Sequence, residues 1–197
     1  MKQNKTYETK FRRRREGKTD YAKRLAMVKS KTTRVVIRKT NTQILANAVN
    51  FNPKGDETIA SANSKEINKY GFYGTNNTPS AYLTGFLLGK KMSGKTDKAI
   101  LDIGRKSPSH GSVIFACLKG LSDAGVNIAY SKEAVPSDDR LTGKTLDVYA
   151  KANPDKFSKY TKTGINPGEI EAAFNKAKAE IDKIKLSITG DKGSVKA

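Results

Sequence analysis

The sequence of 197 residues contains one cysteine, one histidine and no tryptophan, and each scarcity argues against a class of site. A lone thiol, Cys117, can form neither an internal disulfide nor a thiolate metal centre, and its place on the apolar side of a predicted helix indicates a small core residue. His110 alone offers little basis for a Ser-His-Asp triad or a histidine metal site. We therefore expect no cofactor and no metal.

Long apolar runs are also missing. The longest, residues 81–89, is well short of the ~20 residues that cross a bilayer, and it ends at Lys90 and Lys91. The first ten residues are polar, and the apolar segment of a secretory signal does not follow them. We expect an intracellular protein with no membrane partner.

Acidic residues are scarce relative to basic ones, with 19 Asp and Glu against 38 Lys and Arg, for a net charge of +19. Residues 1–40 hold fifteen basic residues against three acidic ones, whereas residues 41–197 hold twenty-three against sixteen. Charge concentrated at one end of a chain favours binding to a polyanion. An acidic membrane surface is the weaker candidate, because this segment lacks the apolar face of an interfacial helix.

The centre of this basic segment is Arg12–Arg15, followed by further cations and by Tyr21. Arginine carries a permanent charge on a planar fork of donors that matches two phosphate oxygens and can stack on a base. The run therefore predicts phosphate binding. The alternative is a solvated, disordered arm that serves only solubility or targeting.

A helix is predicted within this arm, from about Lys18 or Thr19 to Lys29. Tyr21, Leu25 and Val28 recur at helical spacing and should rest on the body of the protein, with Arg24 facing outward.

The body follows as alternating and apolar segments that predict a mixed α/β core. Three strands in a meander precede a helix and a fourth strand, so the third and fourth strands should be parallel and the fourth covered on both faces. Small residues on the first long helix should allow close approach to the sheet. The predicted strands are Arg34–Arg38, Thr42–Phe51, Glu57–Ala62 and Lys98–Ile103; the helices are Ser64–Tyr70, one capped by Thr78 with Ala81, Gly85 and Gly89 on one side, and one from Ser112 to about Ala124.

The C-terminal third has fewer apolar residues and should wrap onto its own core or onto RNA. It is predicted to contain a capped segment at Ser137–Ala152, a Lys-rich loop at Asn153–Gly164 and a helix at Pro167–Lys185. Asn166 is the expected cap of that helix, with Glu169 as its reciprocal partner. The chain thus divides into an arm (1–31), a core (32–128) and a C-terminal extension (129–197).

Two patterns allow an enzyme as the alternative. Residues 89–96 match the phosphate-loop pattern G-x-x-x-x-G-K-T, which would make Lys95 a nucleotide ligand, but here a helix leads in and a strand leads out, the reverse of a true phosphate loop. Asp102, in a strand predicted to be central, could pair with Asp56 or Glu57 to bind Mg²⁺ in a nuclease. An RNA chaperone with the same arm, acting as an independent RNA-binding protein, is a further alternative.

The loop at residues 70–77 has a different composition. Tyr70, Phe72 and Tyr73 alternate with glycines, and Asn76 and Asn77 follow. Aromatic rings offer stacking platforms to unpaired bases and amides read base edges, so the loop is a candidate RNA contact, although some of the rings should anchor it in the core.

Several of these segments together resemble one known family. Lys10–Tyr21, Arg34–Arg38, Asn77–Gly85 and Leu101–Gly104, in this order, resemble the archaeal branch of the universal large-subunit ribosomal protein eighteen, a 5S rRNA-binding family. The similarity continues through residues 136–143 and the final helix.

This resemblance implies an α/β fold with a mixed sheet, formed by an antiparallel meander and a parallel crossover strand, in a ribonuclease-H-like core without nuclease activity. It implies a non-enzymatic constituent of the cytoplasmic ribosome that attaches 5S rRNA to 23S rRNA in the central protuberance, beside the neighbouring large-subunit protein five. The RNA contacts that it implies are Lys10, Arg12, Arg13, Arg14, Arg15, Lys18, Thr19, Tyr21, Arg24, Arg38, Lys39, Tyr70, Asn77, Thr78 and Tyr82.

Overall fold

The computed structural model describes residues 8–96 and 98–184. The first seven residues of the predicted arm and the predicted helix end at Lys185 lie outside this part. The strands are β1 (Thr33–Lys39), β2 (Ile44–Asn50), β3 (Glu57–Asn63) and β4 (Ala99–Asp102). The α-helices are α1 (Arg12–Arg15), α2 (Tyr21–Lys29), α3 (Thr78–Met92), α4 (Val113–Asp123), α5 (Asp138–Thr142), α6 (Lys144–Ala152), α7 (Ser158–Lys162) and α8 (Ile170–Asp182), with 3₁₀ helices at Ser64–Tyr70, Lys132–Ala134 and Pro154–Phe157.

The four strands form one sheet in the order β3-β2-β1-β4. β2 is antiparallel to both β1 and β3, and β4 is parallel to β1, so the predicted mixed sheet is confirmed. β3 and β4 run in the same direction, as the crossover requires, but they lie at opposite edges. The expectation that the fourth strand is covered on both faces is wrong, because β4 is an edge strand whose Ile100 and Leu101 are only half-buried. The ribonuclease-H-like label stays a prediction.

The face of the sheet that meets the helices follows the period of two. Ile44, Ala46 and Ala48 are fully buried, whereas Leu45 and Asn47 between them are half-buried. Successive side chains of a strand point to opposite faces, so this alternation places the core on one side of β2.

Close packing of α3 on α4 explains the small residues of α3. A Cβ atom at Gly85 would overlap the carbonyl group of Cys117, and one at Gly120 of α4 would overlap the carbonyl group of Tyr82. Gly85 and Gly89 therefore serve the contact between α3 and α4, so the predicted approach to the sheet is corrected for these two residues.

The C-terminal third packs on the protein's own core. Tyr160, Ile170, Phe174 and Ile181 are buried in the same cluster as the strands. The predicted segment 137–152 is divided into α5 and α6 by Gly143, whose φ is +93°. The predicted loop at 153–164 instead contains a 3₁₀ helix and α7, which bring Tyr160 to the core.

The cap of α8 comes from a distant part of the chain. The predicted cap Asn166 does not hold the helix, which begins at Ile170. Asp147 of α6 is buried, and its carboxylate accepts hydrogen bonds from the backbone amides of Ile170 (2.7 Å) and Glu171 (3.0 Å). The contact joins α6 to α8 and satisfies two amides that a helix N-terminus leaves open.

Replacing Asp147 should therefore destabilise the protein. We expect Asp147→Ala to lower the free energy of unfolding by about 1–2 kcal/mol, because two helix amides lose a charged acceptor. Urea denaturation followed by circular dichroism measures the change. Asp139→Ala is the control, since Asp139 is an exposed carboxylate 3.5 Å from Lys144; an equal loss in both variants would contradict the capping role.

In the part of the chain that the structure describes, no helix is both long and apolar enough to span a membrane.

Candidate nucleic-acid interface

The arginine run forms one turn of helix, α1, in which all four side chains are exposed. Glu16 closes the turn and pairs with Arg12 at 3.3 Å and Lys18 at 2.8 Å. Gly17 follows with φ of +66°, a conformation that glycine adopts without strain. The turn therefore presents a dense group of guanidinium groups at the surface.

The arm folds back on α2 instead of leaving the protein. The rings of Phe11 and Tyr21 lie 5.1 Å apart, and Arg13 Nε donates to Thr19 Oγ1 at 2.8 Å. Asp20 caps α2 by accepting from two backbone amides of its first turn. Predicted contacts Tyr21 and Thr19 thus also hold the arm in place. Lys10 is exposed at its start.

The orientation of α2 differs from the prediction. Leu25 is 55% exposed, whereas Arg24 is half-buried and turns toward the body. Tyr21 and Val28 are half-buried as predicted. The spacing of apolar residues did not predict this orientation of α2, because an ion pair with Asp56 holds Arg24 on the side that faces the body.

Three arginines and two aspartates form a network beneath α2. Arg34, which is 2% exposed, donates to Asp56 at 2.7 Å and to Asp102 at 3.4 Å. Arg24 binds the same Asp56 oxygen at 2.9 Å, and Arg38 binds Asp102 at 2.9 Å through its carboxylate and at 2.7 Å through its carbonyl group. The carboxylates therefore fix the directions of Arg24 and Arg38, two predicted RNA contacts.

This network uses the carboxylates that a nuclease would need. Asp102 lies on an edge strand, not a central one, and both Asp102 and Asp56 are bound to arginines. Glu57 accepts a hydrogen bond from Asn52 at 2.7 Å. Among residues 8–96 and 98–184 no group of three potential ligands could hold a metal ion. Asp56 and Asp102 thus neutralise and orient arginines, and Glu57 binds Asn52.

Two cations that were not among the predicted contacts, Lys23 and Arg105, lie in or beside a crevice between the arm and the end of β4. Arg13, Lys23, Arg24 and Arg38 line it together with Lys18. Arg105, just after β4, lies against Gly17, where a Cβ atom would meet its guanidinium at 3.1 Å. The signal available in the sequence was the pair Arg105-Lys106 after the predicted strand.

The loop at 70–77 is anchored more firmly than its composition indicates. Phe72 is 1% exposed and packs edge-on against Phe174 at 6.4 Å. Tyr73 contacts Tyr160 with ring centroids 5.1 Å apart. Tyr70 and Tyr73 are both half-buried, but Tyr73 packs on Tyr160, so Tyr70 is the ring of this loop that best fits a role in binding.

Asn77, rather than the predicted Thr78, is the cap of α3. Its Oδ1 accepts from the backbone amide of Ser80 at 3.0 Å, and its Nδ2 donates to the hydroxyl of Tyr160 at 2.6 Å. Thr78 is the first helical residue and is half-buried. The amide of Asn77 is therefore engaged in holding the loop, α3 and α7 together.

Tyr82 is removed from the candidate interface. It is 3% exposed, and its hydroxyl donates to Asp123 at 2.8 Å. Burial, followed by the hydrogen bond to Asp123, raises the pKa of this phenol. The ring belongs to the core beside Phe86 and Phe174, because one face of α3 is covered by α8.

Residues 89–96 run from α3 toward β4, in the order opposite to that of a phosphate loop. Gly89 lies within α3, and Lys95 Nζ donates to the carbonyl group of Ile59 at 3.3 Å.

His110 is exposed, with its Nδ1 3.2 Å from the carbonyl oxygen of Glu133. Cys117 is fully buried, and burial raises the pKa of its thiol to about 12, so it is a core residue as predicted.

Comparison with known proteins gives one consistent result. The family model described as ribosomal large subunit proteins 60S L5 and 50S L18 matches residues 5–99. Large ribosomal subunit protein uL18 of Korarchaeum cryptofilum is 46% identical over 183 residues, which span 88% of this chain and 93% of that protein. Proteins of the same name from Methanobrevibacter smithii and Methanothermobacter thermautotrophicus are 42% and 40% identical, over 93% and 90% of this chain and 98% and 96% of their own lengths.

These relatives are all named as large ribosomal subunit proteins, and the resemblance to the archaeal branch of this family is confirmed. Because the identity extends over nearly the whole length of both chains in each comparison, this chain belongs to the uL18 family of large ribosomal subunit proteins.

Proposed function

We propose that this chain binds 5S rRNA in the large ribosomal subunit and attaches it to 23S rRNA in the central protuberance, beside the neighbouring large-subunit protein five. Membership of the uL18 family supports a structural role in the large subunit of the cytoplasmic ribosome. The identity of the RNAs and of the protein neighbour is the part that needs an experiment.

The observation that carries the proposal is the exposed arginine turn on a folded arm. All four side chains of Arg12–Arg15 reach solvent, while Phe11, Tyr21 and Thr19 attach the arm to α2. A fixed cationic surface needs less ordering on binding than a free tail does, so more of its interaction energy remains as affinity.

Charge neutralisation explains how such a surface joins two RNAs. Phosphates on two RNA segments repel each other, and guanidinium groups between them release condensed counterions and pair with the phosphate oxygens. Asp56 and Asp102 hold Arg24 and Arg38 at defined angles beside the arm. The protein therefore contributes charge and shape, with no chemical step.

Two measurements on the full chain test this function. The purified chain should bind 5S rRNA more tightly than it binds tRNA at near-physiological ionic strength, with affinity for 5S rRNA falling as salt rises. In cells it should sediment with large subunits after a high-salt wash. Equal binding of both RNAs, or loss from the subunit on washing, would contradict the proposal and favour a non-ribosomal RNA-binding protein.

A further inference from the structure

A groove lies at the C-terminal end of β1. It is bordered by the end of β1, the start of α3, and the helices α5 and α6, and its volume is about 340 Å³. The residues that matter here are Lys39, Thr78, Pro79, Val113, Arg140 and Leu146. Sequence reasoning named Lys39 and Thr78 as separate contacts and did not connect them with Arg140, which lies a hundred residues along the chain from Lys39.

The rim of the groove is cationic. Lys39 and Arg140 are both exposed, and neither makes an ion pair or a side-chain hydrogen bond within residues 8–96 and 98–184. No carboxylate lines the groove. This differs from the network under α2, where Asp56 and Asp102 already occupy the arginines. Two unpaired cations facing one space attract an anionic group.

Three of the residues that line the groove are apolar, and together they are called its apolar floor here. Pro79 is buried, and Val113 and Leu146 are half-buried beside it. One wall is held in place by Asn76, whose Nδ2 donates to the carbonyl groups of Thr40 (3.2 Å) and Asn41 (2.6 Å). A phosphate alone would leave the apolar floor in contact with water. A flat ring joined to a phosphate uses both parts.

We propose that this groove binds a single unstacked nucleotide of RNA, with its base against Pro79, Val113 and Leu146 and its phosphate between Lys39 and Arg140. The proposal rests on the proposed function, since it names what one part of that interface binds. Single-stranded loops and bulges are where proteins read RNA, because their bases can leave the stack. The volume is large enough for one base and its sugar, and no carboxylate lines the groove to repel the phosphate.

Site-directed crosslinking tests the proposal directly. Thr145 is exposed on α6 at the edge of the groove, and Thr145→Cys can carry a thiol-linked photocrosslinker. Cys117 will not compete, because it is fully buried and burial raises the pKa of its thiol to about 12. On complexes with 5S rRNA and on intact large subunits, we expect crosslinks to one unpaired nucleotide. Crosslinks spread over paired nucleotides, or to a ribosomal protein, would overturn the proposal.

Affinity measurements separate the two parts of the groove. Binding is measured to 5S rRNA or to large subunits, according to which of the two complexes gave the crosslink. Lys39→Ala/Arg140→Ala should weaken this binding about tenfold. It should also reduce the slope of log affinity against log salt by ~0.7–0.9, the value of one phosphate. Leu146→Ala should weaken binding about threefold to fivefold with the slope unchanged, because it removes contact with the base and no charge.

Lys54→Ala/Lys132→Ala is the matched control, since both lysines are exposed and lie outside the groove. Equal effects of the two double variants would overturn the proposal in favour of general charge. If the unmodified chain binds neither 5S rRNA nor large subunits, the proposed function fails first; if it binds and the groove variants behave like the unmodified chain, only the groove assignment fails.

Discussion

Replacing Arg12–Arg15 by alanine should weaken binding to 5S rRNA about 100-fold at near-physiological salt and reduce the slope of log affinity against log salt by about 3. The four side chains are exposed and can each reach a phosphate, and each phosphate contributes ~0.7–0.9 to that slope. Arg14 and Arg15 make no ion pair or side-chain hydrogen bond among the described residues. The change is measured by filter binding over a range of salt concentrations.

The variant with four alanines should keep the fold, so that a change in its RNA binding can be attributed to the lost charges. No residue of α1 is buried, and alanine has the best helix propensity. The matching variant with four lysines keeps the charge, so it should preserve most of the slope while losing some affinity, because an ammonium group cannot make the paired hydrogen bonds of a guanidinium. A slope that the alanine variant leaves unchanged would rule out the arm as a phosphate-binding surface.

Replacing Arg34 by methionine should lower the free energy of unfolding by about 2–3 kcal/mol. Asp102 is 6% exposed, and removing Arg34 leaves part of its buried charge without a partner. The loss stays below the upper range for buried pairs because Arg38 still binds Asp102 and Arg24 still binds Asp56. Urea denaturation with a constant m value measures the effect.

Two controls test whether the buried charge of Asp102 explains the loss of stability. Lys91→Met breaks a pair with Glu66 in which both side chains are about one-third exposed, and it should cost less than about 1 kcal/mol. Adding Asp102→Asn to Arg34→Met should recover part of the stability, because the buried carboxylate that has lost one of its two arginines is no longer charged. A double variant no more stable than Arg34→Met alone would show that lost packing, not the buried charge, explains the effect.

The two predictions can be told apart on the same protein. Arg34 is 2% exposed and cannot reach a phosphate, so its replacement should leave the salt slope of the folded protein close to normal. The arm variant should do the reverse, with a normal unfolding midpoint and a reduced slope. That pair of results would assign stability and RNA binding to different arginines within the first forty residues.

Helices and strands were predicted well where the residues of the element itself determine its type and its ends. Alternation predicted β1, β2 and β3 to within about two residues, and the predicted limits Ser112 and Ala124 are the residues that flank α4. The arginine run and the net charge identified the arm as the main binding candidate. These features depend on the spacing of apolar and charged side chains and on turn residues, and both can be seen directly in the sequence.

Several predictions failed because a distant residue changed the local result. Arg24 faces inward because Asp56 lies in the turn before β3, and α8 begins at Ile170 because Asp147 of α6 supplies its cap. Tyr82 is buried because α8 covers α3, which no pattern within α3 could reveal. Each error arose where a contact from elsewhere in the chain outweighed the local preference.

The linear order of residues was enough to predict the charge of this protein, the position of its arm, most of its helices and strands, and its family. It could not predict that β4 lies at the edge beside β1, that Arg34 joins Asp56 to Asp102, or that Lys39 shares a groove with Arg140. The difference is one of range, because periodicity and capping act over a few residues, whereas strand order, buried ion pairs and grooves depend on which distant segments fold against one another.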